Sequence, residues 1–376
     1  MLIEDDTFKS NAIKKYLLAN GIDSNDIIHA KNMTDFAANL HYDIGLFIID
    51  LKLPSIDKGT ASQNGTAILE SIVKAGKDNS LLLAISSYPG DFDGLREYFE
   101  SHGCILADFS KKNLWQSALG HLLIQLKKNI KFDFLIFCAL QEERNPYVVL
   151  TPGKQVIRSG INCLDIEVGG KKGSIILLSQ MGLVNAAVTA SLCIERYKPS
   201  VVAMSGICGG FKDRAQLGQL FISSMAYEYQ SGKWTSDGFK QEPYQVTTES
   251  ITLTNLQALI ESENLIEKLE IGFKGARPTK AHKPSIGIFT SGSAVIADES
   301  LLKQIEVIHR KVNALDMEVF ALKRAAELSP YKPKCICAKT VVDLCNEVKD
   351  DKIYAYGSYI SAQFILKALP NYFSHS

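Results

Sequence analysis

Short runs made wholly of apolar side chains, each closing on one polar residue, set the tightest limit on how this chain folds. Leu46-Phe47-Ile48-Ile49 stops at Asp50, and Leu82-Leu83-Ala84-Ile85 stops at Ser86. A strand with no polar alternation has to be covered on both faces, which is the situation of a parallel sheet flanked by helices. Helix-period segments separate the runs, so strands and helices alternate. The spacing predicts strands at 1–4, 26–30, 44–49, 80–86 and 104–107, with helices at 8–20, 32–40, 64–75, 92–102 and 113–127. This describes an α/β domain over residues 1–127 with a doubly wound, parallel, five-stranded sheet.

The lysine-rich segment Lys127-Lys128-Asn129-Ile130-Lys131 reads as a linker at 128–132. A second, larger α/β domain is expected over 133–376, starting at the run Phe134 to Ala139. Further strands are expected at 174–179, 200–205, 218–223, 286–290 and 334–342, around a mixed central sheet. A chain of 376 residues with 46% hydrophobic side chains is long enough for two such cores. Lys+Arg and Asp+Glu balance at 41 each, so no global charge recruits nucleic acid or an anionic membrane, and no helix-turn-helix segment follows the first domain. The eight cysteines include no CxxC pair and sit mostly in apolar runs, as buried, reduced thiols do. With neither a leader-like N-terminus nor an apolar run of membrane-spanning length, the protein is expected to be soluble and cytoplasmic.

In an open parallel sheet, ligands collect beyond the carboxyl ends of the strands. Asp5 and Asp6 follow the first strand and Asp50 ends the third. Three carboxylates there repel one another unless a cation intervenes, and hard oxygen ligands suit Mg²⁺. Ser86, and Lys112 just past the fifth strand, supply a hydroxyl and an ammonium able to hold phosphoryl oxygens. This constellation resembles the receiver domains of two-component response regulators over about the first 125 residues. The resemblance implies a flavodoxin-like fold and Asp50 as the phosphoryl acceptor, with Asp5, Asp6 and Asp50 holding Mg²⁺. It further implies that Ser86 and Lys112 read the phosphoryl group, that Phe109 is the aromatic switch, and that a histidine kinase or phosphotransfer protein is a partner.

In the second domain, polar or glycine-rich segments follow successive strands: Gln141-Glu142-Glu143, Ser205 to Gly210, Ser291 to Ile296, and Asp343. Carboxyl groups in opposite protonation states can cleave an N-glycosidic bond, one orienting water and one protonating the leaving base. A third carboxylate, Glu318 at the start of a helix pattern, could hold a ribose diol. Glycines at 206, 209 and 210 permit close approach of backbone to a ligand.

These segments, with Gly182 to Ala187 and Met317-Glu318, resemble the nucleoside phosphorylase superfamily across roughly 133–370. They are most similar to its hydrolytic methylthioadenosine/S-adenosylhomocysteine nucleosidase branch. The resemblance implies that Glu143 is the base for water and that Asp343 protonates purine N7. It assigns Glu318 to the ribose hydroxyls, Met317 to the sugar's flank, and Val295 and Ile296 to the base pocket. Ile207 and Gly209 belong to the glycine segment against the substrate. It implies no cofactor for the bond cleavage, and a homo-oligomer. Val342, Lys339 and Ile207 stand where this branch usually has serine, arginine, and serine or alanine, which turns the expectation away from methylthioadenosine-type substrates.

The fusion of the two domains resembles the effectors of the two-component-like antiphage systems called Detocs. That implies cleavage of adenine nucleotides, ATP and dATP, to adenine and ribose triphosphate as antiviral defence. A triphosphate calls for cations, and Arg214, Arg277 and Lys280 are the candidates, with Arg144, His282 and Lys283 beside them. A housekeeping nucleosidase or phosphorylase, or a purine-binding signalling module without catalysis, are the alternatives.

Overall fold

The computed structural model describes residues 1–373 apart from 43, 58, 78, 129, 243, 297 and 346–352, so Asn129 of the expected linker lies outside the described residues. The chain divides into two compact units, Met1–Ile130 and Lys131–Ser376.

The first unit runs β1 (Leu2–Ile3), α1 (Thr7–Ala19), β2 (His29–Ala30), α2 (Met33–Asn39), β3 (Leu46–Ile49), β4 (Lys52–Pro54), β5 (Ala61–Gln63), α3 (Gly65–Lys74), β6 (Leu81–Ser86), α4 (Arg96–Ser101), β7 (Ile105–Asp108) and α5 (Lys112–Lys128). Its five-stranded sheet has the order β2-β1-β3-β6-β7, and every pairing in it is parallel. This is the 2-1-3-4-5 order of doubly wound flavodoxin-like folds. The all-apolar runs explain the two cores: Phe47, Ile49 and Ala84 face one helical layer, while Ile48, Leu83 and Ile85 face the other. The small antiparallel hairpin β4–β5 was not expected and stands apart from the sheet.

The second unit begins with β8 (Phe134–Cys138), α6 (Gln141–Leu150), β9 (Gly153–Arg158), β10 (Ile161–Val168), β11 (Lys171–Leu177), α7 (Leu183–Tyr197) and β12 (Val201–Gly210). It continues through β13 (Leu220–Glu228), β14 (Gly232–Thr235), β15 (Gly238–Gln241), β16 (Gln245–Thr247), α8 (Ser250–Ile260), α9 (Leu265–Leu269) and β17 (Ser285–Ser291). It ends with α10 (Glu299–Ile308), β18 (Val312–Asp316), α11 (Val319–Leu328), β19 (Lys334–Asp343) and α12 (Tyr354–Ala368). The central sheet has ten strands and is mixed. Within it β13, β17, β18, β12 and β19 pair in a closed ring, because β19 bonds to β12 on one side and β13 on the other.

Sequence patterning places β12 only as far as 205, but the strand runs on through the glycine segment to Gly210. The reason is pairing: Gly206 to Gly209 lie along β19, and Gly209 and Gly210 bond to β18. A largely buried helix, α12, braces this segment. Ser361 on that helix donates to the Gly206 carbonyl at 2.6 Å and sits 2.9 Å from the Thr340 hydroxyl. The hairpin β9–β10 escaped the sequence analysis because β9 is largely exposed and polar. Among the described residues no helix is long and apolar enough to cross a membrane.

Two separate cores predict separable unfolding. Leu83 is fully buried in the same cluster as Trp115, whereas the chain's other tryptophan, Trp234, is 78% exposed. Leu83→Ala should remove about 2–5 kcal/mol from the first unit. The loss should appear as an earlier urea transition in tryptophan fluorescence, with the second unit's far-UV circular dichroism transition unmoved.

Candidate active site

Glu143 reaches its position because α6 starts directly after β8, so its side chain folds back over the turn. One carboxylate oxygen, Oε2, accepts from the Ala139 and Leu140 amides at 2.7 and 3.1 Å, and Oε1 accepts from Ile207 N at 2.9 Å. Gly206 makes the space: a Cβ there would lie 1.9 Å from Oε1, and its φ of +155° is one that other residues rarely adopt. Glu143 is 1% exposed. Burial raises its pKa; Lys339 opposes the rise and Glu318 adds to it.

Glu318 precedes α11 but does not cap it. Asp316 takes that task, its Oδ2 accepting from the Glu318 and Val319 amides at 3.1 and 2.9 Å. This leaves the Glu318 carboxylate free to reach inward, where Oε1 accepts from Gly182 N at 3.0 Å and Oε2 from Lys339 Nζ at 2.8 Å. Lys339 Nζ also lies 3.0 Å from Asp316 Oδ2. The other Asp316 oxygen accepts from the Ser291 hydroxyl at 2.6 Å. Burial alone would lower the pKa of Lys339, but Asp316, Glu318 and Glu143 outweigh it and hold the ammonium well above its ordinary value. One buried cation thus stands among three carboxylates.

Asp343 ends β19 opposite Gly209 of β12. It is half-buried, and its Oδ1 accepts from Cys345 N at 2.7 Å. The absent side chain of Gly209 leaves room first for Cys345, whose Sγ a Cβ there would overlap, and then for Asp343, whose Oδ1 would lie 3.3 Å away. Glu143 meets β12 at Gly206 and Ile207, and Asp343 meets it at Gly209, so their anchor points are separated by about 10 Å of strand. A cavity of about 520 Å³ opens beside the Glu143 turn, lined by Ala139, Leu140, Gln141, Leu178, Gln180 and Met181. Gly182, which holds Glu318, is the next residue on that loop.

The remaining candidates divide. Met317 and Ile207 are half-buried between these groups along the chain. Val295 is 58% exposed, while Ile296 is buried in a cluster with Phe211, Tyr229, Leu315 and Cys345. Of the cations expected to take phosphate, Arg214 stands apart from this site. Arg214 pairs with Glu306 at 2.7 Å and lines a separate cavity with Arg310 and Lys311, at the amino ends of β17 and β18, opposite Ser291 and Asp316. Arg277 lies 3.9 Å from Glu270 and donates to the Phe273 carbonyl, and Lys280 is exposed. Arg144 is different: it is 1% exposed, and its Nε and Nη2 have no hydrogen-bond partner.

In the first unit the carboxyl ends of the strands gather Glu4, Asp5 and Asp50, with one oxygen from each within 4.8 Å of the others. Asp6, expected in that set, is instead the N-cap of α1 and accepts from Lys9 N at 2.7 Å. Ser86 is buried at the end of β6 and accepts from Tyr88 N. Phe109 stacks on Trp115 at 5.7 Å between ring centres, and Lys112 is exposed. The residues present do not fit the expected Mg²⁺, because Lys9 Nζ already lies 2.7 Å from Glu4 Oε2 and 2.8 Å from Asp50 Oδ1.

The sequence profile of the phosphorylase superfamily matches residues 133–355. The chain belongs to the phosphorylase superfamily. Across nearly its full length it is similar to the uncharacterized protein y4jS of Sinorhizobium fredii, 34% identical over 86% of this chain and 87% of that one. Over 52% of the chain it is 24% identical to the ATP nucleosidase Cap17 of Escherichia coli, a match that spans 40% of Cap17. Its fold matches the 5'-methylthioadenosine/S-adenosylhomocysteine nucleosidase of Neisseria meningitidis, solved with methylthio-immucillin-A, at TM-score 0.52 and 18% identity, covering 63% of this chain and 98% of that one.

Asp316, Lys339, Glu4 and Lys9 are the groups that sequence reasoning left out of these sites. A signal existed for each lysine. Lys339 interrupts an otherwise apolar strand, and Lys9 shares the helical spacing of the buried Ile13 and Leu17. Removing one partner of a buried ion network leaves charges uncompensated, at a cost of about 3–5 kcal/mol. Lys339→Met should therefore lower stability by about that much in urea unfolding, and Lys339→Arg by clearly less.

Proposed function

We propose that the Lys131–Ser376 unit is a purine nucleosidase that cleaves the N-glycosidic bond of adenine nucleotides, ATP and dATP, to adenine and the ribose triphosphate. The observation that carries this is the linkage of Glu143 and Glu318 through Lys339, with Asp343 at the end of the same strand as Lys339, β19. Glu143, fixed by three amides, takes a proton from water as the water oxygen bonds to C1′. The C1′–N9 bond breaks, and Asp343 delivers a proton to N7 of the departing purine. Glu318 holds the ribose hydroxyls, and its 2.8 Å contact with Lys339 orients that carboxylate for the task.

The nucleotide form of the substrate is supported by the likeness to an ATP nucleosidase and by Arg144, a buried guanidinium with two donors that lack an acceptor. An anionic group is the acceptor those donors would take. Arg277 and Lys280 are proposed as outer phosphate contacts. We place the Met1–Ile130 unit as the receiver that controls the enzyme, with Asp50 as its phosphoryl acceptor and a histidine kinase or phosphotransfer protein as donor; the 2-1-3-4-5 sheet and the buried Ser86 beside Asp50's strand support this. A homo-oligomer is supported by the exposed stripe Val184, Val188 and Leu192, one turn apart on α7. Depleting ATP in an infected cell would make the protein an antiviral defence effector.

Chromatography of ATP, dATP, adenosine and methylthioadenosine incubated with the protein tests the reaction. Asp343→Asn should lower adenine release by about 10²–10⁴-fold. Arg144→Met should weaken ATP use while sparing adenosine; equal loss on both substrates would remove Arg144 from the phosphate site. The pH profile gives a second check. Because burial raises Glu143 above its ordinary 4.5, the base is lost to protonation at a pH above 4.5, and the acid limb of kcat/KM should lie there. Lys339→Met should move that limb higher still, since Lys339 is the group opposing the rise.

A further inference from the structure

The acidic pocket of the first unit already contains a cation. Lys9 projects from α1 into it, and its Nζ lies 2.7 Å from Glu4 Oε2, 2.8 Å from Asp50 Oδ1 and 2.7 Å from the Ile85 carbonyl. An ammonium has three N–H donors, and here three oxygens receive them. The lysine is 3% exposed and Glu4 1% exposed, so this is no surface pair that water and salt would loosen. Glu4 is further fixed by accepting from Asp6 N at 2.9 Å through its second oxygen.

A divalent cation would need the same oxygens. Mg²⁺ demands near-octahedral oxygen ligands at about 2.0–2.1 Å, and it would have to bind within a few ångströms of a buried positive charge that cannot reach water. Asp5, exposed at the mouth, is the only member of the acidic set that Lys9 does not touch. Lys112, the ammonium expected to serve Asp50, is exposed and has no contact with it among the described residues. Lys9 thus stands in two places at once: among the carboxylates as a metal would, and on Asp50 as the expected lysine would.

We infer that Lys9 is the resident cation of this pocket, and that the pocket takes up no divalent metal while Lys9 is in place. The inference does not depend on whether Asp50 accepts a phosphoryl group. Should it do so, the ammonium is already on the acceptor carboxylate and would serve the incoming phosphoryl oxygens as a point charge.

Mn²⁺ binding to the full chain, followed by the paramagnetic resonance signal of the free ion, tests this. Wild type and Asp50→Asn should take up Mn²⁺ equally at concentrations up to roughly 1 mM, the weak end of protein sites for such ions. Lys9→Met should gain one site per chain, binding about tenfold or more tighter, and Lys9→Met with Asp50→Asn should lose it. A wild-type site that vanishes in Asp50→Asn overturns the inference. If Lys9→Met does not fold, the comparison of wild type with Asp50→Asn decides the matter alone.

Discussion

The Lys339 ammonium is the charge on which the second unit's site depends. Glu143, Asp316 and Glu318 are all nearly inaccessible to water, and an isolated buried carboxylate costs several kcal/mol in lost hydration. Two of the three touch the same nitrogen, and the third lies within its field. The network therefore sets a compensating positive charge among carboxylates where water is excluded, a condition that strengthens every electrostatic interaction made there. An arginine in the same place would spread its charge over a wide planar fork. The lysine is compact and serves two oxygens about 3 Å away, which suits a ring of strands as tight as this one.

Around that charge the chain divides labour between carboxylates that cap helices and carboxylates that face inward. Asp316 caps α11, which frees Glu318 to face Gly182 and Lys339. Asp6 caps α1, and Glu4, two residues earlier, fills the pocket. The glycines at 206 and 209 remove side chains where carboxylates from other elements must enter. Each is a local concession in β12: a strand of 10 residues gives up packing at those points and is braced by Ser361 of α12 instead.

Much of this was legible from the sequence because the strands are buried on both faces. Apolar runs such as Leu46–Ile49 and Phe134–Cys138 can hardly be anything but central strands, and the polar residue closing each run falls at the carboxyl end of a parallel sheet. Elements with exposed or glycine-rich composition were harder to see. β9 carries little apolar signal, and β12 was cut short at 205 because glycine is a poor strand former when judged alone. The role of Asp6 was misplaced for a different reason. Three acidic residues follow β1 in a row, and spacing does not reveal which of them the helix will take as its cap. The long-range contacts, Glu143 with Ile207 and Glu318 with Gly182, join segments 64 and 136 residues apart, and no local pattern encodes them.

The two units meet the same electrostatic difficulty in the same way and with different consequences. Each gathers carboxylates at the carboxyl ends of parallel strands, and each neutralises them with a buried lysine: Lys9 from a helix in the first, Lys339 from a strand in the second. In the second unit Asp343 stands outside the lysine's reach of contact and is half-exposed, while Asp316 and Glu318 both touch the ammonium. In the first, Lys9 uses all three of its donors and closes directly on Asp50. A charged ligand entering there has to compete with, or add to, an interaction already made. The position of the lysine relative to the remaining carboxylate, more than the number of acids, is what separates the two clusters.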